Sequence, residues 1–252
     1  MDTPYDLYNY QKYWQGRDYD FWSEREALVS LLNVAKNGKR DILLDAGAGF
    51  GRNASLYVGI FKKAILLDPS VKEIGEARVL LKEYSNLEYQ IGTIEELPFA
   101  KDCFDCVLCV RVLHHLENPK LAISEFGRIL RPGGFLILET ANKMNFKARL
   151  SALLRGKLSE LEGDEAIDKR SNKSKLTSTI AFVNHNPEFI KEFLSKNGFK
   201  IQEVLSVSNF RSLFSHIKAL STVFLFIDKI LYQPLARVWF GPSIIFLAKK
   251  ED

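Results

Sequence analysis

The sequence predicts an α/β fold in which short buried strands alternate with helices around a parallel sheet. Three observations lead there. Largely apolar runs of strand length recur at residues 42–44, 64–67, 104–110 and 135–138, too continuous for strands with one wet face, and an alternating strand pattern at 87–91 joins them. Stretches with apolar residues at helical spacing separate them. Glycine and proline mark the joints, as at Asn118-Pro119 and Arg131-Pro132-Gly133-Gly134. A chain of 252 residues suits one such domain with insertions.

The first 36 residues form an N-terminal cap rich in aromatics, among them Tyr5, Tyr8, Tyr10, Tyr13, Trp14, Tyr19, Phe21 and Trp22. Ala27, Leu28, Leu31, Leu32 and Ala35 then repeat at helical spacing, so a helix packs there on the sheet. The aromatics before it exceed what one helix face needs. They either wedge the terminus onto the body or cover a ligand and exclude water. Tyr13 and Trp14 are the candidates for that cover.

The centre of the chain is Ile42 to Asn53, reading Ile-Leu-Leu-Asp-Ala-Gly-Ala-Gly-Phe-Gly-Arg-Asn. A buried strand ends at the carboxylate of Asp45, and Gly47, Gly49 and Gly51 follow at every second position, interleaved with Ala48 and Phe50. Such glycines let backbone approach a ligand with no Cβ in the way. A helix over 52–61 would turn its free N–H groups to the same ligand. The third glycine falls one residue early for the dinucleotide fingerprint. Asp45 would repel a pyrophosphate and attract an ammonium group. A second strand ends at Asp68, 23 residues after Asp45, where an acid can accept from ribose hydroxyls. Pro69 and Ser70 open the next helix.

The strand at 87–91 leads into Gly92-Thr93-Ile94-Glu95-Glu96-Leu97-Pro98-Phe99, and the next region reads Phe104-Asp105-Cys106-Val107, then Val110-Arg111-Val112-Leu113-His114-His115-Leu116. Asn118-Pro119 begins a helix that the Arg-Pro-Gly-Gly turn ends, before the strand 135–138. Together with Asp-Ala-Gly-Ala-Gly-Phe-Gly and Leu-Asp-Pro-Ser, these segments resemble, in the same order, the class I S-adenosylmethionine-dependent methyltransferases. The likeness runs from Ile42 to Thr140 and is similar in kind to quinone-biosynthesis methyltransferases.

That resemblance implies a Rossmann-like, seven-stranded, mostly parallel sheet with an antiparallel last strand and helices on both faces. It also implies insertions after the fifth strand and between the sixth and seventh. The single domain then divides into the cap (1–36), a cofactor-binding core (37–140), a lid insertion (141–185), and a C-terminal helix with a final hairpin (186–252) that carries a helical insertion at 211–240. The implied cofactor is S-adenosyl-L-methionine, with S-adenosyl-L-homocysteine as product. Asp45, Gly47, Ala48, Gly49, Gly51, Asp68 and Pro69 would hold it. Thr93 and Ile94 stand where the family places an adenine-binding Asp and the backbone N–H after it. Thr93 lacks the charge, and Glu95 is the neighbour that could compensate. The carbonyls of Cys109, Val110 and Arg111 would meet the methionine ammonium. His115 is the first candidate for a general base, ahead of His114 and His185.

The three cysteines, Cys103, Cys106 and Cys109, suggest a metal string only until geometry is applied. Residues three apart on a strand face opposite ways, and Cys103 and Cys109 would sit roughly 20 Å apart. They read as small, reduced core residues. A net charge of +4 without a long basic block makes nucleic acid an unneeded partner. The opening Met-Asp-Thr-Pro-Tyr has neither the basic nor the apolar region of a secretory signal, and no run reaches membrane-spanning length, so the cytoplasm is the expected compartment.

Residues 141–179 are charged and weakly periodic, the expected site of a substrate lid or a solvated loop. His185-Asn186-Pro187 starts a capped helix ending at Gly198. Leu213, Ile217, Leu220, Phe224, Ile227 and Leu231 form one apolar helical stripe. It would cover the core, line an apolar substrate wall or, through 213–231, join two copies in a homodimer; shallow membrane contact ranks last, given Lys218, Asp228 and Lys229. These features favour methyl transfer to a small hydrophobic molecule. The alternatives are a cofactor-binding module without turnover, or a tRNA or protein methyltransferase.

Overall fold

The computed structural model describes residues 4–7, 13–116, 118–171, 175, 180–211 and 221–251. The nine described strands are β1 (Ile42–Ala46), β2 (Lys63–Asp68), β3 (Leu87–Ile91), β4 (Phe104–Cys109), β5 (Leu130–Ala141), β6 (Ile167–Asp168), β7 (Val183–Asn184), β8 (Phe199–Val207) and β9 (Ser243–Lys250). Seven of them form one sheet in the order β3-β2-β1-β4-β5-β9-β8. β1 to β5 run parallel, and β9 pairs antiparallel with both β5 and β8. The order reverses between β1 and β4, which opens a crevice at the carboxyl ends of those strands.

The helices are α1 (Asp18–Ala35), α2 (Ala54–Tyr57), α3 (Val71–Leu80), α4 (Lys120–Ile129), α5 (Phe146–Leu154), α6 (Pro187–Lys196) and α7 (Ser221–Ala236). Alternation along the strands sorts the core into two layers. Leu43, Leu66, Cys106 and Leu108 face α1, with its Ala27, Leu28, Leu31 and Leu32. Leu44, Val107 and Cys109 face α4 and α6, which supply Phe126, Ile129, Ile190 and Leu194. Cys106 and Cys109 therefore lie on opposite faces, and all three cysteines are free thiols.

Several local expectations change. The helix foreseen over 52–61 shrinks to the single turn of α2, so little helix dipole reaches the glycine loop. The Arg-Pro-Gly-Gly turn lies within the extended run of β5, where pairing with β4 jumps from Phe104↔Leu130 to Cys106↔Phe135. Asn118 precedes α4 as foreseen, but Pro119 is the cap residue, and the Asn118 side chain accepts from Lys120 N. In the 141–185 insertion, Lys143 is fully buried, its Nζ donating to the carbonyls of Glu162 (3.1 Å) and Glu165 (2.8 Å). It pins the insertion instead of facing water, and β6 and β7 form a two-stranded sheet beyond it.

The apolar stripe at 213–231 lies partly outside the described residues, since 212–220 are not among them. On α7 the residues that go deepest are not the predicted ones. Asp228, Tyr232 and Ala236 are buried, whereas Phe224, Ile227 and Leu231 are half-buried. Asp228 can be inside because Tyr19 Oη, Ser23 Oγ and Asn209 Nδ2 donate to its carboxylate at 2.7, 2.7 and 2.6 Å. Those donors tie α7 to α1 and to the end of β8, so α7 covers the core.

Candidate active site

The glycine loop after β1 is held open by its own hydrogen bonds. Gly47 N and Ala48 N both donate to Leu67 O, at 2.7 and 3.0 Å. Gly47 has φ +77, and a Cβ there would lie 2.3 Å from Val112 Cγ2, so the loop accepts only glycine at that point. Gly49 N donates to Asp68 Oδ2 (2.9 Å), and Ser70 N donates to Asp68 Oδ1 (2.9 Å). Each carboxylate oxygen keeps a further acceptor site. Burial raises the Asp68 carboxyl above the usual carboxylate range, against the two backbone N–H groups that lower it.

Above this loop lies a cavity of about 310 Å³. Its floor is Gly47, Ala48, Gly49 and Phe50. Asp68 and Pro69 from the end of β2 form one side, with Thr93, Ile94 and Glu95 from the loop after β3. Val110, Arg111 and Val112 follow β4, and His115 and Leu116 continue that wall. Tyr5 and Trp14 come from the N-terminal segment.

Trp14 is fixed by charge. Its ring lies under the guanidinium of Arg52 (4.1 Å to the centroid) and near that of Arg111 (5.3 Å). Both arginines bind Glu24 of α1: Arg52 Nη2 donates to Oε1, and Arg111 Nε donates to Oε2 at 2.6 Å. Glu24 is fully buried, and burial would raise its carboxyl, but Arg52 and Arg111 outweigh that and hold it below the usual range. Arg111 itself sits at φ 63, a left-handed conformation uncommon outside glycine, with its N–H donated to Glu139 Oε2 (3.0 Å). Burial opposes its charge, yet Glu24 and Glu139 hold the guanidinium above its ordinary value.

His115 stands on the helical turn Leu113–His115, edge-on to Tyr5 at 5.7 Å. Its Nδ1 is 2.9 Å from Ala181 O, a partner that requires the proton on Nδ1. Nε2 is then the acceptor, and it is buried with no partner among the described residues. Burial lowers the His115 pKa, partly offset by Ala181, so the ring is neutral at pH 7. His114 and His185 do not line the cavity. His114 is buried against Phe182 and His115, and His185 Nε2 meets Leu113 O at 2.9 Å.

Four predicted residues stand back from the cavity wall. Asp45 is buried beneath the loop, where Tyr57 Oη donates to it (2.7 Å); burial pushes its carboxyl up to about 7. Gly51 faces inward, and a Cβ there would meet Leu81 Cδ1 at 2.4 Å, so it serves packing of α3 against the sheet. Cys109 turns its side chain into the core layer under α4. Tyr13 lies behind Trp14, ring edge to face at 5.4 Å. The sequence reading missed Tyr5, Arg52 and Val112 on the wall. For Arg52 a signal existed, its position directly after the glycines, but its partner Glu24 is 28 residues away.

Residues 44–138 match the family model described as a methyltransferase domain. Over that segment the chain is similar to methyltransferase domains. The matched segment supplies nearly the whole cavity wall, from the glycine loop to His115. Among similar proteins, the uncharacterized methyltransferase YcgJ of Bacillus subtilis is 30% identical over 124 residues, covering 48% of this chain and 49% of that protein. A ubiquinone biosynthesis O-methyltransferase of Agrobacterium fabrum is 31% identical over 112 residues, 44% of each chain. The chain thus spans about half the length of the curated relatives it matches. A solved structure from Thermotoga maritima, described as an S-adenosylmethionine-dependent methyltransferase, superposes with a TM-score of 0.63 at 20% identity, covering 96% of this chain and 94% of that one. That likeness carries the Rossmann-like methyltransferase fold, including the antiparallel last strand, over almost the full length of this chain, beyond the segment matched by the domain model.

Proposed function

We propose that this chain binds S-adenosylmethionine in the cavity and transfers its methyl group to a small, apolar acceptor. The observation that carries the reading is the meeting of Asp68, Arg52, Arg111 and His115 in the wall of one cavity. The wall suits the ligand. Asp68 keeps acceptor capacity for ribose hydroxyls after its two backbone donors are counted. Thr93 and Ile94 offer a hydroxyl and a backbone N–H for an adenine edge, with Glu95 beside them. Arg52 and Arg111 place two guanidinium groups on the wall and give one N–H each to Glu24, so further N–H donors remain for a carboxylate. Gly49, without a side chain, leaves room over the loop.

When bound, the cofactor supplies an electrophilic methyl group on a sulfonium, and in-line displacement by the acceptor needs no metal. The chain's own residues align and dry the site. Alignment is worth up to about 7–11 kcal/mol in well-oriented cases. Trp14, held by the two arginines, and Tyr5 close the mouth against water. Neutral His115, with Nδ1–H engaged by Ala181, can take an acceptor proton on Nε2, a contribution of roughly 10²- to 10⁴-fold. Phe50, Val112 and Leu116 on the same wall favour an apolar acceptor.

Calorimetric titration with S-adenosylhomocysteine tests the cofactor, with NADH as the control. Binding of the first and silence of the second is expected; the reverse overturns the reading. Labelled cofactor incubated with a metabolite extract then tests transfer. Binding without any labelled product would make the chain a cofactor-binding module.

A further inference from the structure

α5 turns its small residues inward and its large apolar residues outward. Ala152 is buried on the body, while Phe146, Leu150, Leu153 and Leu154 are 49%, 44%, 59% and 80% exposed. At about 100° per residue these four fall within one arc of the helix, with Lys147 at one border and Arg149 at the other. Past the helix end Leu158 is also exposed. Between Glu139 and Glu160 the sequence holds no acid; of its five cations Lys143 is buried and Lys157 pairs with Glu160, which leaves Lys147, Arg149 and Arg155 on and beside the helix.

The helix is anchored as a rigid fixture. Asn145 Oδ1 caps it by accepting from Ala148 N (3.0 Å), and the Phe146 ring stacks on Phe240 at 5.1 Å. Phe146 N donates to Phe240 O (2.9 Å), and Arg149 Nη2 donates to Val238 O (2.6 Å). A helix merely loose on the surface would not keep this many ties. One that served the core would bury the opposite face.

We propose that α5 docks this chain on the surface of an anionic phospholipid bilayer, lying flat with Leu150, Leu153 and Leu154 among the head groups. An apolar face bordered by cations on both sides is the pattern of an interfacial helix. The charge decides among occupants. A second copy packed face to face would bring Lys147 and Arg149 against the same cations with no acid on the helix to meet them, whereas anionic head groups complement them. No helix among the described residues is long and apolar enough to cross a membrane, so α5 lies on the bilayer. The proposal does not depend on the reaction assigned to the cavity.

The test is co-sedimentation of the full chain with vesicles of phosphatidylcholine alone and of equimolar phosphatidylcholine and phosphatidylglycerol. The chain is expected to pellet with the anionic vesicles, more weakly as salt rises and much less with phosphatidylcholine alone. Leu150→Glu and Leu154→Glu each replace an exposed side chain, so both should unfold thermally as the parent does while losing roughly tenfold in vesicle affinity. A parent chain that stays in the supernatant with both vesicles overturns the proposal, as do variants that pellet like the parent. A dimer that Leu154→Glu dissolves, with no vesicle binding, assigns the face to a second copy and overturns it equally.

Discussion

Glu24 and Arg111, 87 residues apart in sequence, meet through a 2.6 Å hydrogen bond that joins α1 to the end of β4. Arg52 completes the bridge from the glycine loop. One buried carboxylate therefore fixes two cavity-wall cations and, through them, the Trp14 ring.

Replacing Glu24 with Gln leaves both guanidinium groups buried beside a neutral amide. Breaking a buried pair from one side costs about 3 kcal/mol or more, mostly as the penalty on the charges left behind. Urea unfolding of Glu24→Gln should show that loss. An unchanged midpoint and slope would remove Glu24 as the organiser of the cap.

Asp68 accepts one backbone N–H on each oxygen. An Asn at that position must turn its NH₂ toward either Gly49 N or Ser70 N, setting donor against donor. It also removes the charge from any bond to a ligand hydroxyl, worth roughly 1.5–3 kcal/mol. Calorimetry on Asp68→Asn is expected to show S-adenosylhomocysteine binding weakened at least tenfold, at that energy. Parental affinity in the variant would exclude Asp68 from the ribose site.

The pH dependence of turnover has a definite sign. Burial lowers His115 below its ordinary 6.5, so the base form already dominates at pH 7. The rate should fall only on the acid side, below the ordinary imidazole range, where Nε2 gains its proton. His115→Phe, which keeps the ring between Tyr5 and His114, should lose roughly 10²- to 10⁴-fold in kcat and lose the acid limb with it. A variant with the parental pH profile would show that His115 carries no proton in the reaction.

Gly51 separates packing from binding. With φ +79 and Leu66 Cδ2 3.0 Å from the place of a Cβ, Gly51→Ala is strained and crowded, at a cost of about 1–3 kcal/mol. Because Gly51 is off the cavity wall, the folded variant should bind S-adenosylhomocysteine as the parent does. A lower melting temperature with intact affinity is the expected pair of results. Lost affinity in a variant of parental stability would return Gly51 to the ligand site.

Much of the site was legible because each of its pieces lies just past the end of a strand. The glycine loop, Asp68, Thr93 to Glu95 and Val110 to His115 each follow a strand directly, and parallel pairing must bring those strand ends together. Asp45 reads the same in sequence whether its carboxylate looks up at a ligand or down at Tyr57. Only the hydroxyl of Tyr57, 12 residues on, decides. Arg111 could be read only as a cation near the site, since its bridge to Glu24 depends on where α1 packs.

By itself the sequence determined the order of strands and helices, the faces that strand alternation must bury, and the loop where only glycine can follow the first strand. Those are local properties, set by spacing and by the stereochemistry of a few residues. Tertiary structure alone decided that Asp228 could lie inside an apolar helix, that Glu24 would serve two arginines, and that α5 would turn its leucines to the outside. Each of these depends on partners far along the chain, and the free energy of a buried charge or an exposed leucine is set by what surrounds it.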